Sequence, residues 1–350
     1  MSALVATPVL VPLATVVLTT LASRRPALQQ AVSFVGALAF LATAAALVVL
    51  AAADQPAQTA FGSWAAPFGI EFTLDRVGAA LVLITALMGA ASLLFLASDA
   101  DPGTHHPLLL PLIHGVLAGV GGAFSTADLF NLYVWFEVML ICSLGLFAIG
   151  GRLDQLDASF KYLVLNLLGT LLLLIAVGAV YAATGHLNFT ALSEAAAVLP
   201  EPLTIVLLTA LLLAFLIKAG AFPLYAWLPA SYHTLPAPVL ALFAGLLTKV
   251  GVYAVLRTVG DVFAPAPELV MVFDASASMD RPIAENPALG VVQRGLQMGG
   301  LAGAALGILI EVYRQPPLPE MLVHALFWPA VLGAAGFVFL GWLANRVTGS

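Results

Sequence analysis

The chain has 350 residues, of which 62% are apolar and only 9% are charged, whereas charged residues make up about a quarter of a typical soluble domain. Twelve basic and eighteen acidic side chains give a net charge of −6. One cysteine, no basic patch and the apolar excess exclude a disulfide-stapled scaffold, a nucleic-acid-binding protein and a soluble domain. Function is therefore expected at the few ionisable residues inside the apolar segments.

Apolar runs of about 18 or more residues predict transmembrane helices, because roughly 20 residues at 1.5 Å per residue cross the hydrocarbon core. Eight such runs occur, at Leu4–Ser23, Gln29–Ala53, Val77–Ser98, Pro107–Ala127, Leu129–Gly151, Tyr162–Ala183, Pro202–Trp227 and Pro236–Leu256. Two weaker runs follow, at Gly295–Ile310 and Met321–Ala344. The predicted fold class is an all-α polytopic membrane protein with about ten helices, since the runs lack the period-two alternation of a β-barrel.

The loops predict an orientation and one non-helical element. With the N-terminus outside, the inner loops carry Arg24, Arg25, Arg152 and Lys161, which follows the usual excess of basic residues on the cytoplasmic side. The segment Phe61–Arg76 contains Gly, Pro and alternating apolar positions, and this pattern predicts a short hairpin outside the membrane. The first run has no basic residue before it and no cleavage site, which favours a retained helix over a signal peptide.

Three charged residues lie within the predicted spans: Glu137, Lys218 and Lys249. A charge at mid-bilayer costs on the order of 3 kcal/mol on insertion scales, so each needs a partner or a water-filled cavity. One acid and two bases at similar depth predict pairing in the bundle interior. A static ion pair that only fixes helix packing is the plain alternative, but it leaves the second lysine unpaired. Because burial disfavours a charged lysine and a nearby carboxylate favours it, such a lysine can take and release protons.

A helix break is predicted directly after Lys218. Gly220 weakens the helix, and Pro223 lacks a backbone donor and clashes with the preceding turn. Discontinuous helices at membrane depth are tolerated where the freed backbone lines a cavity, and they recur at transporter ion sites. A proline kink without function is the alternative. The position of the break, within five residues of an intramembrane lysine, favours the functional interpretation.

His233 lies in the short predicted connection between the seventh and eighth helices. A histidine can titrate near neutral pH, and this one could carry protons from the inner surface toward Lys218 and Lys249. A surface histidine without a role explains its position equally well.

Three further polar residues have plainer interpretations. Asp128, together with Thr126, is predicted to be an N-cap rather than a transport group. Lys161 is predicted to be an interfacial anchor. His114 has apolar neighbours in the fourth predicted helix, and its role stays open.

Two segments resemble a known family. FSTADLFNLYVWFEVMLICSLGLFAIGG (124–151) and FLIKAGAFPLYAWLPASYHTLPAPVLALFAGLLTKVGVYAVLR (215–257) resemble the antiporter-like membrane subunits shared by respiratory complex I and Mrp-type multisubunit sodium/proton antiporters. The stretches DLFNLYVWFEVML and LPASYH are most similar to the Mrp D-type branch of that family. The resemblance covers about residues 1–262, and both motifs occur in the expected order.

The resemblance implies a proton half-channel built from helices four to eight. The family's helix-five glutamate matches Glu137, its broken-helix lysine matches Lys218, its helix-eight lysine matches Lys249 and its loop histidine matches His233. It further implies a transporter subunit rather than an enzyme, with no cofactor or metal of its own. The implied partners are other membrane subunits, protons, sodium and the lipid of a bacterial cell membrane.

Three regions are predicted along the chain. Residues 1–106 hold helices one to three and the outer hairpin, residues 107–262 form the antiporter-type five-helix repeat, and residues 263–350 hold an atypical polar loop with about two helices. Family members continue into a second, inverted repeat, which we do not find after residue 262. Asp274, Ser276 and Ser278 match the opening of a von Willebrand A metal site, but too few residues follow for that domain, so the match is interpreted as coincidence.

Three functional hypotheses follow. The leading one is a proton-translocating subunit of a sodium/proton antiporter. The second is a membrane subunit of a complex I-like or membrane-bound hydrogenase complex, with all redox chemistry in partner subunits because the chain shows no flavin, iron–sulfur or quinone signature. The third is an inactive truncated or fused family member. Neighbouring genes would separate the first two hypotheses.

Overall fold

Long apolar helices make up most of the structure. The computed structural model describes residues 2–53, 57–60, 69–98 and 106–263, all within one unit of the chain. The helices are α1 (Ser2–Val5), α2 (Thr7–Leu21), α3 (Pro26–Ala52), α4 (Arg76–Ser98), α5 (Leu109–Ser125), α6 (Leu129–Ala148), α7 (Leu153–Thr184), α8 (Phe189–Ala196), α9 (Glu201–Ala219), α10 (Trp227–Ser231) and α11 (Ala237–Arg257). A 3-10 turn (Tyr232–Thr234) precedes α11, and a π turn (Thr258–Val262) follows it.

Six of these helices are long and apolar enough to cross a membrane: α3, α4, α6, α7, α9 and α11. The helices α2 and α5 are equally apolar but shorter. The predicted all-α membrane fold is thus confirmed at the level of six candidate spans. The two weaker runs at Gly295–Ile310 and Met321–Ala344, and the Asp274 motif, lie outside the described residues.

The single first helix predicted over Leu4–Ser23 is divided into α1 and α2, and two further helices differ from the prediction. Helix α7 begins at Leu153 rather than at Tyr162, because its first turns carry polar residues that a hydropathy criterion leaves out. The short helix α8 was not predicted as an element, since eight residues cannot span a bilayer. Its N-cap is Asn188, whose side chain accepts hydrogen bonds from the backbone of Thr190 and Ala191, and such a cap is a local signal that helices of any length use.

The predicted hairpin exists with a different first strand. The strand β1 (Ala57–Ala60) pairs antiparallel with β2 (Glu71–Leu74), so β1 precedes the predicted segment Phe61–Arg76, and residues 61–68 lie outside the described ranges. Beyond the hairpin, backbone bridges join Phe72 to Thr126 and Asp128 to Asn188. The hairpin is therefore bonded to the segment between α5 and α6, which is in turn bonded to the segment between α7 and α8.

Helix α5 lies in the core of the bundle, and every residue from Ile113 to Ser125 is buried. Its glycines allow α6 to pack closely. A Cβ atom added at Gly122 would lie 2.3 Å from the ring of Trp135, and one added at Gly119 would lie 2.6 Å from Cγ of Met139. Small residues at helix contacts are typical of membrane bundles. This contact fixes the side of α6 that faces α5, and hence the position of its remaining side chains.

Candidate functional site

The predicted helix break lies at the end of α9. The helix ends at Ala219, and Gly220 adopts a left-handed conformation with φ of 62°, which glycine reaches without steric cost. The backbone amides of Gly220 and Ala221 donate to the carbonyls of Ile217 and Leu216 at 3.1 and 3.0 Å. The indole Nε1 of Trp227, the first residue of α10, also donates to the Ile217 carbonyl at 2.9 Å. Two of the carbonyls left free at the end of α9 are thus satisfied within the chain.

Lys218 lies in the last turn of α9 and is only 5% exposed. Its Nζ donates to Oγ1 of Thr170 at 2.5 Å and to the carbonyl of Asn166 at 3.2 Å. The ring centroid of Phe136 lies 5.7 Å from Nζ, within the range of a cation–π interaction. The amine is therefore held by α7 on one side and by an aromatic ring of α6 on another, and both hydrogen-bond acceptors are uncharged.

A small cavity adjoins this amine. Its volume is about 20 Å³, enough for roughly one water molecule. The lining residues come from five helices and are Phe136, Met139, Leu140, Tyr162, Asn166, Lys218, Trp227 and Leu247. Lys218 thus borders a space for about one water in otherwise mainly apolar surroundings.

Two glycines set the position of the last turn of α9. A Cβ atom at Gly251 of α11 would lie 2.4 Å from the backbone nitrogen of Ala219 and 2.8 Å from the carbonyl carbon of Lys218. A Cβ atom at Gly169 of α7 would lie 2.7 Å from Cγ2 of Ile217. Such distances are well inside van der Waals contact, so only glycine allows this approach without a shift. The end of α9 is clamped between α7 and α11.

Glu137 follows Phe136 on α6 and is half-buried. Its Oε1 is buried without a hydrogen-bond partner in the described part of the chain, and within those same ranges no ion pair joins it to a lysine. The predicted contact pair between Glu137 and a lysine is therefore not formed. Glu137 directly follows Phe136, whose ring centroid lies 5.7 Å from Nζ of Lys218, so the two residues share one region of the bundle without a contact between them.

Lys249 does not lie in the bundle interior, and that part of the prediction is wrong. Its side chain is exposed on α11, and its Nζ donates to the Ala244 carbonyl of its own helix at 2.5 Å. The neighbouring positions Val250 and Gly251 are buried. Since successive residues of a helix are about 100° apart, a lysine next to buried positions still points out of the bundle.

His233 lies in the 3-10 turn before α11 and is exposed, as expected for a connection. Its Nδ1 is 3.2 Å from the carbonyl oxygen of Pro229. No hydrogen bond of the described residues links it to Lys218 or to Lys249. The structure thus brings Glu137 and Lys218 into one region and leaves Lys249 and His233 apart from it.

The sequence prediction missed Asn166 and Thr170, which supply the acceptors for Lys218. They are four residues apart in the apolar run of α7, and residues at this spacing share a face of a helix. Thr170 also donates from its Oγ1 to the carbonyl of Asn166 at 3.0 Å. Two polar residues at that spacing were the available signal for a polar partner site.

The plainer interpretation of Asp128 agrees with the structure, whereas the interfacial role of Lys161 stays a prediction. Asp128 is the N-cap of α6 and accepts from the backbone amide of Asn131 at 2.7 Å, which confirms the predicted cap. Burial raises the pKa of the Asp128 carboxyl, and the capping hydrogen bonds oppose that shift. Lys161 forms an exposed ion pair with Asp157 at 2.6 Å, one turn earlier on α7.

Comparison with known proteins places the helices around Lys218 in a family of membrane subunits. A family model described as NADH:quinone oxidoreductase/Mrp antiporter, TM, matches residues 126–279. The D-type subunit of an Na(+)/H(+) antiporter of Alkalihalophilus pseudofirmus is 37% identical over 264 residues, which are 75% of this chain and 54% of the relative. The corresponding subunit of a probable K(+)/H(+) antiporter of Rhizobium meliloti is 38% identical over 259 residues, 71% of this chain and 48% of that protein.

A solved structure of an Mrp complex contains a chain with a similar fold. The Mrp complex from Dietzia sp. DQ12-45-1b contains a chain that matches with a TM-score of 0.70 and 29% identity, covering 89% of this chain and 62% of that chain. The chain spans about half the length of the curated relatives it matches, and both are named as antiporter subunits rather than as enzymes. Over the matched residues, the chain belongs to the family of antiporter-like membrane subunits that includes the D-type subunits of Mrp antiporters.

Proposed function

We propose that this chain is a proton-translocating subunit of a multisubunit monovalent cation/proton antiporter and that Lys218 binds and releases the transported proton. The observation that carries the proposal is a buried amine, at a helix break, whose hydrogen-bond acceptors are both neutral. A fixed structural lysine is expected to have a carboxylate in contact, because an unpaired buried charge is costly. In the described residues Lys218 has no such contact.

The surroundings of Lys218 accommodate both protonation states. As an ammonium, the side chain donates to Thr170 and Asn166 and is stabilised by the ring of Phe136. As a neutral amine, it has a lone pair that can accept from a water in the adjoining cavity or from the Thr170 hydroxyl. A proton can then leave Nζ to that water, and a change in the Glu137 environment shifts the balance between the two states.

The wider route of the proton remains a prediction that the family resemblance supports. Its members are Glu137, Lys218, Lys249 and His233, and the five helices α5, α6, α7, α9 and α11 correspond to the repeat predicted over residues 107–262. The exposed position of Lys249 suits a transfer to a group outside the described residues. His233, exposed in its turn, suits exchange with the aqueous phase.

The names of the relatives guide the choice of cation and partners. One relative is named for sodium and the other for potassium, so the proposal is for a monovalent cation, with sodium as the first to test. The matching chain of Dietzia belongs to an Mrp complex. We propose that this chain likewise acts with other membrane subunits in a bacterial cell membrane.

A membrane subunit of a redox complex is the second candidate, because the matching family model covers NADH:quinone oxidoreductases as well as Mrp antiporters. The channel residues would serve both functions. Purification of the native complex separates them: co-purifying small antiporter subunits favour the first candidate, and co-purifying flavin or iron–sulfur subunits favour the second.

The test of the proposal is sodium-driven proton flux in membrane vesicles containing the assembled complex. Both Lys218→Met and Lys218→Arg are expected to abolish the flux, because arginine keeps the positive charge but does not release its proton. Lys161→Met is the matched control, since that lysine is exposed and paired with Asp157. Full flux in Lys218→Arg would show that Lys218 supplies only a fixed positive charge. Full flux in Lys218→Met would show that Lys218 is not needed for proton transport.

A further inference from the structure

A second cavity, lined by several polar residues, lies where α3 and α5 begin and α4 ends. Its volume is about 70 Å³, which holds on the order of five waters, since one water needs about 10–15 Å³ of such space. Gln29, Gln30, Ser33 and His106 contribute polar groups to its lining. We call this cavity the vestibule.

The side-chain oxygen of Gln29 is available as a hydrogen-bond acceptor in the vestibule. The residue is only 6% exposed, and its Nε2 donates to the carbonyls of Thr19 at 3.0 Å and Pro107 at 2.7 Å. This arrangement fixes the amide, because the flipped orientation would place Oε1 against two carbonyl oxygens. The side-chain oxygen therefore lies on the other edge of the amide, and it is free to accept from water in the cavity that Gln29 lines.

Behind the vestibule lies a buried histidine that the proposed proton route does not use. His114 of α5 is 1% exposed, and Ser33 of α3 is 2% exposed. The Oγ of Ser33 lies 2.9 Å from Nε2 of His114, and Ser33 also lines the vestibule. The serine hydroxyl thus stands between the cavity and the imidazole.

We propose that the vestibule is a water-filled inlet and that His114 is a second proton-binding site, reached through Ser33. In the tautomer with the proton on Nδ1, the Ser33 hydroxyl donates to Nε2. A hydronium ion of the vestibule gives a proton to Oγ while the hydroxyl proton passes from Oγ to Nε2, so that imidazolium and water result. Nε2 then donates to Oγ, and the Ser33 hydroxyl turns toward the vestibule, so the hydrogen bond persists in both states.

Few titratable side chains lie on the helices that pack against α5. The helices α2 and α3 carry no titratable side chain. On α6, the thiol of Cys142 lies against Gly115, the residue after His114. His106 lines the vestibule. The other titratable residues of the helices around α5 are Arg76, Tyr133, Glu137, Lys249, Tyr253 and Arg257.

The hydration of the vestibule is tested with silver ion as a small thiol reagent. The background is the full complex with Cys142→Ser, which removes the one cysteine of this chain, and rates are measured as the difference from that background. Ser33→Cys is compared with Val35→Cys, a 66% exposed position on the same helix. A thiol in a wet cavity is expected to react at least about tenfold faster than one facing lipid, because hydrocarbon excludes ions. Equal slow rates would show a dry vestibule and overturn the inlet.

Proton binding is tested by infrared difference spectra of the complex between acidic and alkaline buffer. A histidine ring band is expected in the wild type and absent in His114→Gln, whose amide can keep a hydrogen bond to Ser33 but cannot take up a proton. Ser33→Ala is expected to weaken the band and Ser33→Thr to preserve it. A wild-type spectrum identical to that of His114→Gln overturns the site, and an undiminished band in Ser33→Ala overturns the route through Ser33. Neither readout depends on Lys218, so a failure here leaves the proposed function standing.

Discussion

Lys218 and Lys249 lie in the neighbouring apolar helices α9 and α11, yet the structure gives them opposite environments. Lys218 is buried, bonded to another helix and adjacent to a cavity, whereas Lys249 is exposed and bonded to its own helix. Both were predicted to face the bundle interior. The difference teaches that an apolar run indicates the depth of a residue in the membrane but not the side of the helix on which it lies.

After the loss of flux expected for the Lys218 variants, the next largest effect is expected at Glu137, which tests whether a carboxylate near Lys218 controls the proton of that lysine. Glu137→Gln is expected to lower proton flux at least about tenfold, equal to a barrier increase of about 1.4 kcal/mol. Thermal unfolding is expected at the same or a higher temperature, because Oε1 has no hydrogen-bond partner in the described structure and its desolvation is removed. Flux is measured in vesicles, with the exposed Glu194→Gln as the control. Normal flux in Glu137→Gln would show that the Glu137 carboxylate has no role in proton transfer at Lys218.

The clamp around Lys218 is tested at Gly251. Gly251→Ala forces a Cβ atom to 2.4 Å from the Ala219 nitrogen, and such overpacking costs about 1–3 kcal/mol. Both the thermal unfolding temperature and the flux are therefore expected to fall. Gly178→Ala is the matched control, because an added Cβ there meets nothing within 4 Å and alanine favours a helix by about 0.5–1 kcal/mol. An unchanged Gly251→Ala protein would show that the end of α9 is not held by this contact.

A loss of stability of the same order is expected at Thr170. Thr170→Val removes the hydroxyl that accepts from Nζ of Lys218 at 2.5 Å, and a buried donor left without that partner costs about 1–3 kcal/mol. Thr170→Ser is expected to behave like the wild type. The unfolding temperature measures the loss, and Thr209→Val, whose hydroxyl bonds only to its own helix, gives the baseline. Equal unfolding temperatures of Thr170→Val and Thr209→Val would show that the hydrogen bond between Thr170 and Lys218 does not stabilise the fold.

The smallest effect on stability is expected at Lys249. Lys249→Met is expected to change the free energy of unfolding by no more than about 0.5 kcal/mol, as exposed substitutions usually do. The same substitution at Lys218 removes two buried hydrogen bonds and should change it more. Comparison of the unfolding temperatures of the two variants tests the difference between a buried Lys218 and an exposed Lys249. Equal shifts in both variants would contradict that difference.

Much of the fold could be predicted from apolar runs alone. The predicted spans Gln29–Ala53 and Val77–Ser98 correspond closely to α3 (Pro26–Ala52) and α4 (Arg76–Ser98), because the length of the hydrocarbon core dictates the length of the run. The start of α7 was missed because its first turns are polar. The first strand of the hairpin was missed because the short sequence AQTA carries no alternating pattern.

The candidate site was only partly predictable. Lys218 and its break were recognisable, because a charge and a helix-breaking Gly–Pro segment stand out in an apolar run. The acceptors of Lys218 and the side on which Lys249 lies were not, because they depend on how three helices rotate against one another. The same applies to His114, whose partner Ser33 lies 81 positions away in the chain.

The central claim is that Lys218 changes its protonation state, and nitrogen-15 NMR of lysine-labelled complex measures this directly. The chain has only the lysines Lys161, Lys218 and Lys249, so the signal missing from Lys218→Met assigns the site. We predict that this signal switches between ammonium and amine when the pH is changed over the range in which the complex transports. A signal that stays in one protonation state throughout that range would contradict the account.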